Sequence, residues 1–167
     1  MFALGIEPRC VELLDTSCIA VVNNSLNKNI APFPLKPHLF FKLAGRANVI
    51  PQELKSLTLA LQNAGGTRLR IARNEKEGEE LWAIRKSLGY SLLKLFPGSG
   101  LINTDVCVPR SQLPGLIDQY KLDLEKVNQE IEAEAQGGEL KKLSGLILGH
   151  VGDGNFHSLM YVLSSSR

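Results

Sequence analysis

Apolar residues along this chain switch between a period of two and a period near 3.6, and the switches mark its elements. RCVELLD (9–15) alternates as a strand, and helical spacing runs from Thr16 to Leu26. NIAPFPLKP (29–37) holds three prolines, Pro32, Pro34 and Pro37, which forbid regular pairing and predict a loop. HLFFKLAG (38–45) predicts a second strand. IPQELKSLTLALQNAGG (50–66) predicts a helix with Pro51 in its first turn and Gly65-Gly66 as its stop. TRLRIAR (67–73) alternates as a third strand, and EELWAIRKSLGYSLLKLF follows as a helix with Leu81, Ile84, Leu88 and Leu92 on one face, ended by Pro97-Gly98. LINTDVCVP (101–109) is a fourth strand. A long helix from Gln112 to Gln136 then carries Leu113, Leu116, Ile117, Tyr120, Leu124, Val127 and Ile131, and Gly137-Gly138 closes it. Two last apolar runs, LSGLILGH and NFHSLMYVL, flank VGDG.

Four strand–helix units followed by a hairpin predict an α+β fold: a ferredoxin-like antiparallel sheet of about six strands with about four helices packed on it. At 167 residues and 44% hydrophobic content the chain fits one domain, with no linker or low-complexity segment to divide it. Nineteen basic against seventeen acidic residues leave a net charge of +2, which gives no electrostatic pull toward nucleic acid or a membrane surface. No apolar run approaches the roughly 20 residues of a transmembrane helix, and MFALGIEPR carries neither a secretory nor a transit pattern. Cys10, Cys18 and Cys107 match no zinc spacing and sit among apolar residues, so buried free thiols are expected, which fits a reducing compartment. A sheet ending on the last hairpin is expected to expose an edge there.

Chemistry concentrates in GHVGDGNFH (149–157), which holds two of the three histidines. Asp-Gly between apolar runs predicts a two-residue type I′ hairpin turn at Asp153-Gly154. That turn sets His150 opposite His157, and opposed residues share a face with Cβ atoms about 4.5–5.5 Å apart. Two imidazoles so placed can converge on one metal ion, zinc, iron or manganese. The competing reading is a cross-strand polar pair beside a loop. Asp153 is read as a turn residue, Asp105 as a buried structural acid, Trp82 as core, and His38 as structural.

GHVGDGNFH resembles the GHxGDGNxH signature of the FAD-linked 2-hydroxyacid dehydrogenases, within the vanillyl-alcohol-oxidase type of flavoproteins. NTDVCVPRSQLPGLI (103–117) is similar to the matching stretch of the branch that oxidises D-lactate and passes electrons to cytochrome c. ELWAIRK (80–86) and VELLD (11–15) fall in the expected order, so the likeness spans nearly the whole chain. It implies that residues 1–167 are part of the cap or substrate domain over the flavin, with the FAD-binding domain and the family's C-terminal end lying outside this chain. It implies His150 and His157 as ligands of a divalent metal that contacts the substrate. The third ligand, a glutamate of a GEHG-type motif, and the histidine base after it belong downstream, so no catalytic base is assigned here and the chain alone is expected to be inactive. Asn155 either orients its loop or touches the flavin.

By spacing, Arg85 reads equally as a surface arginine over Trp82 or as a ligand-binding group. The resemblance makes it the arginine that grips the substrate carboxylate, for which a guanidinium fork is suited. Gly89 stands where some relatives have a hydroxyl residue, and Asn103-Thr104 where relatives acting on dicarboxylates have a lysine. Both departures favour a small substrate such as D-lactate. The implied reaction is oxidation of D-lactate to pyruvate by hydride transfer to FAD, in mitochondria. The rival readings are a D-2-hydroxyglutarate or glycolate dehydrogenase of the same family, or a non-catalytic module that binds a metal or a partner.

Overall fold

The sheet is built outward from its most apolar strand pair. In the computed structural model, which describes residues 5–25, 32–95, 97, 100–134 and 141–164, nine elements follow in order. They are β1 (Cys10–Leu14), α1 (Thr16–Ser25), β2 (His38–Lys42), α2 (Ile50–Asn63), α3 (Glu75–Leu95), β3 (Leu101–Cys107), α4 (Leu113–Glu134), β4 (Lys141–Gly149) and β5 (Asn155–Ser164). The five strands form one antiparallel sheet in the order β2-β1-β4-β5-β3. The architecture is therefore α+β, with five strands rather than six. The helix ends expected at Leu26, Gly98 and Gly137-Gly138 lie outside the described residues.

Successive side chains on a strand point to opposite faces, and β4 uses both. Leu146 and Leu148 pack with Leu14, with Cys18, Ile19 and Val22 of α1, and with Leu88 and Leu92 of α3. Ile147 points the other way and joins Phe156, Leu113, Leu116, Ile117 and Tyr120 under α4. Helices thus cover both faces, which is why the central strands read as nearly unbroken apolar runs. Burying each such Leu, Ile or Phe contributes about 1.5–3 kcal/mol. Gly145 makes room for the Tyr120 ring, whose hydroxyl accepts a hydrogen bond from buried Ser158.

Local chemistry sets the helix starts. Asp15 leaves β1 with its N–H on the Ile147 carbonyl (3.0 Å), and its carboxylate accepts the Cys18 N–H (2.8 Å) as the N-cap of α1. Asn74 accepts the Glu77 N–H (2.9 Å), and Glu77 reaches back to the Arg73 N–H (2.9 Å), so α3 begins at Glu75, one turn before the expected start. Gly65 sits at φ +81°, and the Gly66 N–H closes α2 on Leu61 (2.8 Å), as the sequence predicts.

Three expectations are corrected. Residues 67–73 are not a strand: Leu69 and Ile71 are exposed, and Arg68 at φ 56° breaks the extended backbone before any ladder forms. Among the described residues, the alternation there has no neighbouring strand to pair with. The last hairpin does not end the sheet, because β5 lies between β4 and β3. Finally, the β4–β5 connection is not a type I′ turn. Val151–Asp153 wind as a single 3₁₀ turn, and Asp153 and Asn155 both donate to the His150 carbonyl (2.9 and 3.2 Å). Only Gly154 adopts the left-handed region, at φ +80°. Tertiary contact overrides the dipeptide preference here. Gly152 lies against Val11, and a Cβ on Gly154 would strike the Val108 carbonyl, whose residue's own N–H donates to Gly154 (2.9 Å).

Candidate metal and substrate site

The longer connection shifts the β4–β5 register. His157 faces Leu148 across the ladder, not His150, which lies just beyond the end of β4. The two rings still meet. Their centroids are 5.6 Å apart at an interplanar angle of 84°. The convergence was legible in the sequence, but its cause is different: the 3₁₀ turn folds His150 back beside β5.

Two carboxylates stand behind these rings. The last β1–β4 pair is Leu13 with Gly149, so the next step along the register sets Glu12 against His150. Glu12 Oε1 lies 2.5 Å from His150 Nδ1. On the other side, Asp105 is the cross-strand partner of His157, with its Oδ1 3.2 Å from His157 Nδ1. A carboxylate only accepts hydrogen bonds, so the His150 contact is made by the Nδ1–H tautomer and leaves Nε2 with its lone pair, whereas Asp105 approaches His157 without a hydrogen bond. Carboxylate-backed histidines of this kind are the usual arrangement around metal ions. Two imidazoles on one tetrahedral ion, with bonds of about 2.1 Å, have ring centres roughly 5 Å apart. The observed separation and the donor chemistry fit such an ion.

The two carboxylates differ in setting. The Glu12 side chain is 4% exposed and that of Asp105 is 65% exposed, so the expectation of a buried Asp105 is corrected. Asp105 lies on β3, an edge strand of the sheet. Glu12 shares the face of Leu14, under α3, where Arg85 Nε donates to its Oε2 (3.1 Å). Arg85 is thus brought to the histidine cluster through Glu12. Among the described residues, its two terminal nitrogens carry no protein hydrogen bond. Gly89, one turn on, has open space where a side chain would stand.

Glu12 is the residue that sequence reasoning missed. VELLD places it on the same strand face as buried Leu14, and a lone acid on an apolar strand face was the available signal. Cys10 also donates to Glu12 Oε1 (3.3 Å), and the donor atoms of Cys10, Glu12 and His150 all lie within 4.8 Å of one another. That triplet is a poor metal cage. Burial first, then the hydrogen bond to Glu12, pushes the Cys10 thiol up to about 11, and the Arg85 cation already occupies the same carboxylate.

Asn155 does orient its loop. Its Nδ2 donates to Asp105 Oδ1 (2.6 Å) and to the Val106 carbonyl (3.2 Å), while its buried Oδ1 has no hydrogen-bond partner among the described residues. Asp153 is a turn residue, though of a 3₁₀ turn. Trp82 is half-buried edge-on to Phe40, at 6.4 Å between centroids. His38 opens β2 with Nδ1 on the Lys36 carbonyl (2.8 Å) and keeps a structural reading. Cys10, Cys18 and Cys107 are free thiols, and Cys107 is exposed rather than enclosed by apolar residues. No helix among the described residues is long and apolar enough to cross a membrane.

The sequence profile of the C-terminal domain of FAD linked oxidases matches residues 1–167. The chain belongs to this family. The resemblance carried by GHVGDGNFH is thereby borne out. Among curated relatives, the probable mitochondrial D-lactate dehydrogenase of Danio rerio is 31% identical over 156 residues, covering 93% of this chain and 28% of its own length. The mitochondrial D-lactate dehydrogenase [cytochrome] of Kluyveromyces lactis is 31% identical over 168 residues, covering 98% and 27%. Glycolate oxidase subunit GlcD of Escherichia coli is 25% identical over 165 residues, covering 96% and 29%. The chain therefore spans little more than a quarter of the length of these family members.

Proposed function

We propose that this chain is the substrate-covering part of a longer FAD-dependent D-2-hydroxyacid dehydrogenase, whose substrate is D-lactate and whose electrons pass to cytochrome c in mitochondria. The observation that carries the reading is the pair of carboxylate-backed imidazoles 5.6 Å apart, with an arginine joined to one of those carboxylates. The higher identity to the D-lactate enzymes than to glycolate oxidase supports the choice of substrate.

In this reading His150 and His157 would hold a divalent cation through their Nε2 atoms. When bound, FAD supplies a two-electron sink for the substrate's C2 hydride, and the cation a positive charge beside its hydroxyl. Arg85 offers its two terminal nitrogens to the substrate carboxylate, because Glu12 already occupies Nε. Gripping both ends of so small a substrate fixes which face of C2 is presented, a positioning effect. Asn155 Oδ1, buried and without a partner among the described residues, is the acceptor left for a donor on the cofactor or substrate.

The test begins with the gene, read on both sides for a flavin-binding domain and a GEHG motif. Its complete product is then purified and mixed anaerobically with D-lactate, glycolate and D-2-hydroxyglutarate. D-Lactate should bleach the flavin absorbance fastest, and His150→Ala should lose turnover and bound metal together. A product free of flavin, or one that retains both metal and turnover without His150, overturns the reading.

A further inference from the structure

Besides the Cys10 thiol, Glu12 holds two partners at once, and the chemistry of those two points to a single task. One oxygen meets His150 Nδ1 (2.5 Å), the other meets Arg85 Nε (3.1 Å), and the carboxylate itself is almost fully enclosed. Resting on the function proposed above, we infer that Glu12 is a positioning residue that sets the metal-binding tautomer of His150 and the aim of Arg85 together. His150 needs such a partner more than His157 does. His157 is fixed by the β4–β5 and β3–β5 ladders, whereas His150 sits outside any strand, with φ −81° and ψ 64°, and is half exposed. No backbone ladder holds its ring.

The carboxylate also fixes the proton. Because Glu12 can only accept, the proton of neutral His150 resides on Nδ1 and Nε2 faces outward as a ligand. The same logic orders the arginine. With Nε committed to Glu12 Oε2, the outer edge of the guanidinium, bearing both terminal nitrogens, points away from Glu12 and is free to form a fork with a carboxylate. One side chain therefore aligns the group that binds the cation and the group that binds the anion.

Glu12→Gln separates this role from bulk. It keeps the shape, but it presents either an oxygen or an NH₂ to each partner and cannot accept from both. Turning its NH₂ to His150 forces the proton onto Nε2 and blocks metal binding there. The first measurement needs no variant. Long-range ¹⁵N–¹H NMR of the imidazole nitrogens in the metal-free full chain, at a pH where His150 is neutral, should show the proton on Nδ1; a proton on Nε2 overturns the inference. Glu12→Gln should then raise the dissociation constant for Zn²⁺ about 10- to 100-fold by calorimetry and shift the His150 tautomer toward Nε2–H. Glu12→Asp should recover part of both. An unchanged tautomer and affinity in a folded Glu12→Gln chain sink the role of Glu12. If instead the tautomer shifts in Glu12→Gln while His150→Ala binds Zn²⁺ as tightly as the parent, Glu12 keeps its positioning role and the metal reading is the one that fails.

Discussion

Two stretches of this chain read as strands from their apolar positions and meet opposite fates. β5 (Asn155–Ser164) is enclosed, with a strand on either side and helices over both faces, whereas residues 67–73 lie exposed and unpaired between α2 and α3. Alternation shows only that one face of a segment is apolar. Strand formation also requires a neighbour whose backbone groups are unsatisfied and a sheet face to cover. β5 has both. Residues 67–73 have neither, and Arg68 at φ 56° further disrupts their extended run. The difference also separates function: His157 of the histidine cluster stands on β5, where strands on both sides hold its backbone in place.

The contrast can be tested by substitution, beginning with the largest effect. Phe156→Ala removes a fully buried ring from beneath α4 and should cost about 3–5 kcal/mol. Ile71→Ala in the exposed stretch should stay within about 0.5 kcal/mol. Urea unfolding midpoints of the two variants decide the matter, and equal losses would mean that residues 67–73 are packed after all. Next is Gly154→Ala. Its left-handed φ alone costs about 1–3 kcal/mol, and the blocked Val108 carbonyl adds to that, so the hairpin should shift. Circular dichroism should show retained helix, while the His150–His157 contact is lost from NOE spectra. A parent-like stability would show that the tight approach to Val108 is dispensable.

The smallest effect concerns Asp15, buried at the head of α1. Burial raises its carboxyl, while the hydrogen bonds from Cys18 and Ile147 oppose that rise. The folded chain therefore holds a proton more readily than the unfolded chain does. The cost of the buried charge is in force above the folded pKa and is relieved as pH falls through it toward the unfolded value of about 3.9. Asp15→Asn keeps an N-cap acceptor and removes the charge, so it should change neutral stability by less than about 1 kcal/mol and flatten this part of the pH dependence. A steeper pH profile in the variant contradicts that account.

The legible parts of the chain were those where local pattern and tertiary demand agree. The apolar runs of β4 and β5, the Pro51 start and the Gly65-Gly66 stop of α2 all read correctly. Asp153-Gly154 misled because the dipeptide preference is small beside the contacts of Gly152 with Val11 and Gly154 with Val108, which join residues more than 40 apart in sequence. Glu12 escaped notice for a related reason. Its role depends on Arg85 and His150, and only the folded sheet brings those three together. His150 and His157 were found because nine residues carry both, so the hairpin needed only to close, in whatever manner, to unite them.

One asymmetry in the cluster has a consequence of its own. The two histidines lean on acids of the same charge, but Glu12 lies in the dry interior while Asp105 stands in water on an edge strand. Dissolved ions screen exposed charges over about 10 Å at 0.1 M ionic strength and hardly reach enclosed ones. Dissolved ions therefore reach and screen the charge of Asp105 but not that of Glu12, so the fields at the two rings respond unequally to the same buffer.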